Sequence, residues 1–285
     1  MKKLLFQFDT DQYASVFDTV VAYDGGADHV VGYAGVTPDN VGGLVDGAIF
    51  TRAPKDKKHT ALFIGGSNAQ AGQKVLAAVQ KHFFLGFQVS VMLDCNGCNT
   101  TAAAGVAKLA TCGALAGKKA VVLGGTGPVG QRAAALLALE GADVTLTSRH
   151  IFGAEEACYA MHERFGVQLT ALEAADCNAR GDAIRDANIV FATGAAGVEL
   201  LRPEHWINNP NIEIMADANA TPPVGIGGTD MMDKGTERHG KIIWGAIGFG
   251  ALKLSLHRAC IEKLFEDNKQ VLDAEAIFAL AKVMA

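Results

Sequence analysis

Lys118-Lys119-Ala120-Val121-Val122-Leu123-Gly124-Gly125-Thr126-Gly127-Pro128-Val129-Gly130 is the stretch whose reading decides the fold. A short apolar run enters glycines spaced G-x-G-x-x-G at 125, 127 and 130, and an alanine- and leucine-rich segment at 128–140 closes at Gly141. The run reads as a buried strand and the segment after it as a helix. In such a unit Gly125 permits the tight turn, Gly127 lets backbone approach a pyrophosphate, and Gly130 lets the helix pack on the strand. The unpaired N–H groups at the helix start then face the anion. Gly125, Thr126, Gly127, Pro128, Val129 and Gly130 are therefore the expected dinucleotide-binding loop.

Residues 143–147 read as the next strand, whose tip meets the adenosine ribose in this kind of unit. An acidic residue there would hold both hydroxyls of NAD and repel a 2′-phosphate; instead the tip reads Thr147-Ser148-Arg149-His150. The Ser148 hydroxyl and the Arg149 guanidinium can make charge-assisted bonds to phosphate, which favours NADP as the cofactor. Further strands are expected at 168–171, 189–192 and 212–216, with helical segments between most of them. This is the repeat of a Rossmann-like, doubly wound parallel sheet. By fold-level analogy, Thr193, Gly194 and Ala195 after one strand and 217–219, including Asn219, after the next line the ribose and nicotinamide.

Upstream, strands are expected at 4–8, 48–51, 60–64 and 87–93, with a helix at 68–83 opened by Ser67-Asn68. Downstream, the Pro- and Gly-rich stretch 218–235 is too long for a plain connector and reads as functional or mobile. A strand at 242–244 and helices at 252–265 and 274–284 complete the chain. The pattern divides it into a second α/β domain at 1–113, completed by 247–285, and a dinucleotide-binding domain at 114–246. Function is expected in the crevice between them, at the carboxyl ends of the strands.

Composition narrows the function classes. The chain has 285 residues, 49% of them hydrophobic, and a net charge of −5. That is ample for sizeable cores and leaves no basic stripe for nucleic acid. No run approaches the ~18 apolar residues of a membrane span, and Gln7, Asp9 and Asp11 interrupt the apolar start too early for a signal peptide. A cytoplasmic enzyme is the expectation. Of the six cysteines, only Cys95-Asn96-Gly97-Cys98 has a spacing that invites a redox or metal reading. A second ligand pair is absent, so no metal is expected and small-residue packing is the preferred reading.

Several longer stretches carry a resemblance: Leu4-Leu-Phe-Gln-Phe-Asp-Thr-Asp11, Tyr23-Asp-Gly-Gly-Ala-Asp28, and residues 94–105, 125–130 and 250–261. Together they resemble the NADP-dependent methylene-tetrahydromethanopterin and methylene-tetrahydrofolate dehydrogenases of methylotrophic bacteria. The resemblance implies a two-domain homo-oligomeric subunit in one-carbon metabolism, with an active cleft shaped partly by a neighbouring subunit. It also implies hydride removal from the methylene carbon between two pterin nitrogens, leaving a methenyl cation. No proton leaves with the hydride, so no general base is obligatory and positioning dominates. The Tyr-x-x-x-Lys pair of the bifunctional folate enzymes does not occur, which implies little or no cyclohydrolase activity.

The resemblance maps site roles onto Phe17, Thr101, Lys253 and His257. Phe17 would stack on the pterin and Thr101 hydrogen-bond it, while Lys253 and His257, four apart, share one helix face. A fixed cation about 4 Å from the developing methenyl cation would cost roughly 4 kcal/mol at an effective dielectric near 20. Lys253 is therefore expected to bind a pterin carbonyl or neighbouring polar atom, or to pair with a carboxylate such as Asp94 or Asp24. The cofactor motif alone also fits an NADP-linked reductase of another small carbonyl or iminium substrate, or a non-enzymatic NADP sensor.

Overall fold

The computed structural model describes residues 1–285. The chain forms two compact units, one of 1–100 with 254–280 and the other of 101–253 with 281–285. Each is an α/β layer structure built on its own sheet.

In the first unit β1 (Leu4–Asp9), α1 (Val16–Asp24), β2 (His29–Tyr33), α2 (Gly42–Phe50), β3 (Thr60–Gly65), α3 (Ala69–Lys81) and β4 (Ser90–Leu93) alternate along the chain, and β12 (Val271–Leu272) returns late. The five strands lie in the order β12-β4-β3-β1-β2, all parallel. β3 and β4 are buried along their whole length, as central strands of a parallel sheet must be. The chain runs from β1 outward to β2 and then crosses to β3 on the other side. A topological switch point therefore lies between the carboxyl ends of β1 and β3, where Asp9 pairs with Gly65.

The second unit contains β5 (Lys119–Leu123), α5 (Pro128–Leu139), β6 (Asp143–Ser148), α6 (Ile151–Phe165), β7 (Thr170–Glu173), α7 (Cys177–Ala183), β8 (Ile189–Ala192), α8 (Pro203–Trp206), β9 (Ile214–Asp217), β10 (Lys234–Arg238) and β11 (Lys241–Trp244). Strand order is β10-β11-β9-β8-β5-β6-β7, parallel except for the antiparallel β10 edge. Here the winding reverses between β5 and β8. Val121, Leu123, Val190, Met215, Ile243 and the fully buried Trp206 form much of the core on which this sheet packs. Three helices, α4 (Cys98–Ala110), α9 (Ala246–Lys263) and α10 (Ala274–Met284), contain the residues at which one unit gives way to the other.

Three local expectations are corrected. Residues 48–51 do not form a strand, because Val45, Ala48 and Ile49 are the buried stripe of helix α2 at i, i+3 and i+4 spacing. The segment 87–93 is strand only over β4, since Phe87 closes a tight turn with Phe84 instead. Helix α9 starts six residues before the expected 252, with the Ile247 and Gly248 amides donating to the Met231 carbonyl at 2.8 and 3.2 Å.

The long stretch after β9 is ordered around two buried side chains. Asp217 accepts hydrogen bonds from the amides of Asn219 (2.9 Å) and Ile226 (2.8 Å), and burial holds its carboxyl above the usual range despite those bonds. Asn219 accepts from Gly197 and Thr221 and donates to the Pro223 carbonyl. These bonds satisfy backbone groups that a loop buried at this depth would otherwise leave unpaired.

Candidate active site

The glycine loop between β5 and α5 is held from three sides. Gly124 takes the left-handed conformation at φ +63°, so the residue that makes the tight turn is Gly124 and not Gly125 as expected. Its amide donates to the hydroxyl of buried Thr147 at 3.2 Å, and that hydroxyl donates to the Val122 carbonyl at 3.2 Å. The Gly125 amide donates to the Thr147 carbonyl at 2.9 Å, and the Gln131 side chain donates to the Thr126 carbonyl at 2.7 Å.

Close packing explains the other glycines. A Cβ on Gly125 would lie 2.6 Å from Leu146 Cγ, and one on Gly130 would lie 2.5 Å from Thr193 Oγ1 and 2.6 Å from Gly125 Cα. At Gly127, the N-cap of α5, a Cβ would meet nothing within 4 Å. Two glycines thus let helix and strand approach, and the third borders open space at a helix N-terminus. That combination fits a dinucleotide pyrophosphate. Pro128 at the first helical position removes no needed N–H, and Val129 follows half-buried.

Thr193 braces the loop from β8, its hydroxyl donating to the Leu123 carbonyl at 3.1 Å. Gly194 abuts Leu200, Ala195 is exposed, and the Asn219 side chain accepts from the Gly197 amide after β8 and donates to the Pro223 carbonyl in its own loop. At the tip of β6, Ser148 is half-buried while Arg149 and His150 are exposed. Ser148 Oγ accepts from the His150 amide at 3.4 Å, and the backbone at Gly153 in α6 passes close to both Ser148 Oγ and Thr126. The glycine loop and the β6 tip therefore converge on the start of α6. One neighbour carries no signal in the sequence: Glu173 pairs in register with Ser148 from β7, and only strand pairing brings it there.

In the first unit, the side chains after β1 frame the switch point. Asp9 is buried and accepts the amides of Asp11 (3.0 Å) and Ser15 (2.9 Å), while Gln7 donates to the Ser15 carbonyl and accepts from Thr19. Ser15 caps α1 through the Asp18 amide. The start of α1 is thereby fixed, and with it Phe17, which is 52% exposed. His257 comes to the same place from α9, with its ring stacked on Phe63 at 5.5 Å and 22° and tilted against Phe17 at 6.3 Å. It is wholly buried. The structure thus joins Phe17 and His257 and adds Phe63, whose apolar strand gave no functional signal.

Thr101 is half-buried in the first turns of α4, and Lys253 is half-buried one turn before His257 on α9. The Asp24 carboxylate is taken by Arg258 at 2.7 Å. Asp94 accepts the amides of Asn99 and Thr100 and the Thr100 hydroxyl at 2.6 Å, which anchors the start of α4. Cys95 and Cys98 are buried and outside any disulfide, with Cys95 Sγ packed where α3 has Gly72. Burial, with Asp94 nearby, pushes the Cys260 thiol up, and burial does the same to Cys158, so neither is a ready nucleophile. No group of three or more His, Cys, Asp and Glu side chains is placed to hold a metal. No helix is long and apolar enough to cross a membrane.

The loop geometry makes a paired prediction. Gly127→Ala should keep the melting temperature within about 2 °C of the parent, because the methyl enters open space. It should remove most of the thermal stabilisation given by NADP. Gly130→Ala should instead cost about 1–3 kcal/mol of stability through overpacking. Undiminished stabilisation of the Gly127→Ala chain by NADP would contradict the assignment of the loop.

Residues 16–96 match the family model described as methylene-tetrahydromethanopterin dehydrogenase, N-terminal. The chain is 58% identical over 286 residues to a bifunctional protein, MdtA, of Methylorubrum extorquens, covering 100% of this chain and 99% of the relative. It is 32% identical over 296 residues to an NAD(P)-dependent methylenetetrahydromethanopterin dehydrogenase of the same organism, again covering 100% and 99%. Among solved structures, the 5-ketofructose reductase of a Gluconobacter strain shares the fold, with a TM-score of 0.53 and 15% identity over 100% of this chain and 99% of that one. Kinship along the full length, on a fold with the glycine loop intact, means that the chain belongs to the methylene-tetrahydromethanopterin dehydrogenase family of oxidoreductases.

Proposed function

We propose that the chain catalyses the reversible, NADP-linked dehydrogenation of methylene-tetrahydromethanopterin to its methenyl form, with methylene-tetrahydrofolate as a second substrate sharing the reacting pterin head. The observation that carries this reading is the glycine loop, which keeps an open backbone cradle at Gly127 in a chain related throughout to an NAD(P)-dependent dehydrogenase of that class. Ser148 and Arg149 at the β6 tip support the 2′-phosphorylated cofactor. When bound, the nicotinamide supplies a two-electron acceptor at its C4.

In this reading 114–246 takes the dinucleotide, while 1–113 and 247–285 take the pterin. Phe17 stacks on the pterin, and Thr101 hydrogen-bonds it. His257 is a positioning residue, since a wholly buried ring stacked on Phe63 supports the orientation of Phe17 better than it reaches a ligand. Lys253 binds a polar atom of the pterin away from the reacting carbon, because a cation beside the forming methenyl cation would slow its formation. Removal of a hydride alone asks no side chain to take a proton. An apolar edge supports a homo-oligomer: β2 is exposed with Val31 and Tyr33, beside Val16, Val20 and Tyr23 of α1.

A spectrophotometric assay crossing both methylene-pterins with NADP and NAD tests the reaction directly. The methenyl chromophore should appear with NADP and persist without hydrolysis. Arg149→Ala should raise the KM for NADP about tenfold or more while changing that for NAD little, as removal of a charge-assisted phosphate contact requires. Equal effects on both would defeat the NADP assignment. Lys253→Met should alter kcat or the pterin KM; unchanged values of both would remove Lys253 from the site.

A further inference from the structure

The tip of β6 carries no acidic residue in sequence, yet the fold brings one to it. Glu173, the last residue of β7, stands in register with Ser148, and the Ala174 amide donates to the Ser148 carbonyl at 2.7 Å. Its carboxylate accepts the amide of Ile151, the first residue of α6, at 2.8 Å. No side chain at His150 caps that helix, so Glu173 supplies the negative charge that a helix N-terminus favours. Ser148 Oγ, the His150 amide and the Gly153 backbone crowd the same corner, and Arg149, between Ser148 and His150 in the chain, is exposed.

We infer that Glu173 is a cofactor-selectivity residue, whose carboxylate sits at the α6 N-terminus as an internal anion and opposes a 2′-phosphate held by Ser148 and Arg149. The inference rests on the reading of those two residues as the 2′-phosphate partners. The opposition is electrostatic and moderate. Arg149 offers the phosphate a cation, Glu173 takes the Ile151 N–H that the phosphate would otherwise accept, and the two anions repel across an exposed, solvent-screened gap. A 2′-hydroxyl carries no charge to repel. The chain therefore tolerates the unphosphorylated cofactor more than the Ser148-Arg149 pair alone would allow.

The test compares 2′,5′-ADP with 5′-AMP, which carry the adenosine end with and without the 2′-phosphate, binding to the full-length chain by calorimetry. Glu173→Gln keeps a side-chain oxygen to accept the Ile151 amide and removes the charge. It should tighten 2′,5′-ADP about fivefold at low salt, with the gain shrinking as salt rises, and leave 5′-AMP within about twofold. Glu173→Ser serves as the second variant should the first fail to fold, with the same expected direction. An unchanged ratio of the two affinities, or a ratio that moves toward 5′-AMP, overturns the inference. The parent chain reads the underlying assignment separately: a ratio unmoved in Glu173→Gln overturns the role of Glu173 alone where the parent binds 2′,5′-ADP more tightly than 5′-AMP, and overturns both readings where it does not, whereas a ratio that rises about fivefold toward 2′,5′-ADP supports Glu173 as the opposing charge whichever nucleotide the parent prefers.

Discussion

Backbone contact between α5 and the β5 turn is the constraint on which the glycine loop, the proposed dinucleotide site, depends. With no side chains at Gly125 and Gly130, the helix start comes within van der Waals reach of the turn, and Thr193 from β8 locks the turn from the other side. Thr147 locks it from β6. The loop is thus braced by both strands flanking β5, which fixes the α5 N-terminus in place, and a ligand bound there would not bear the ordering cost of a mobile loop.

The first unit solves a different problem, holding an aromatic side chain at a sheet's switch point. Gln7 and Asp9 are buried polar residues on β1, a place where an apolar residue would pack more cheaply. Their hydrogen bonds run to the Ser15 backbone and to Thr19, so their burial fixes the entry of α1. Asp94 does the same for α4, and Asn99 ties that helix start to Asp273 at the beginning of α10. Buried, satisfied networks of this kind trade some stability for a single geometry.

Much of the fold was legible because parallel strands buried on both faces write themselves as apolar runs: β3, β5, β8 and β9 fall where the runs at 60–64, 120–123, 189–192 and 212–216 lie. What failed was short or exposed, apart from 48–51, where the buried stripe of α2 is an apolar run that reads equally as a strand. His29–Tyr33 is an edge strand with one glycine and little burial, so it shows no alternation, and Val271–Leu272 is strand only because β4 is beside it. At the site, the glycine spacing carried real geometric content, though it could not say that Gly124 makes the turn. Glu173 lies 25 residues from Ser148 and Phe63 nearly 200 from His257, so nothing local announces either pairing.

On the proposed reading, the braced loop at 124–130 and the turn at 148–153 together grip the cofactor. Amide hydrogen exchange of the full-length chain, with and without saturating NADP, reads both segments at once. Protection of 124–131 and 148–153 on adding NADP is the predicted result; exchange unchanged in both segments, with NADP bound, would contradict it.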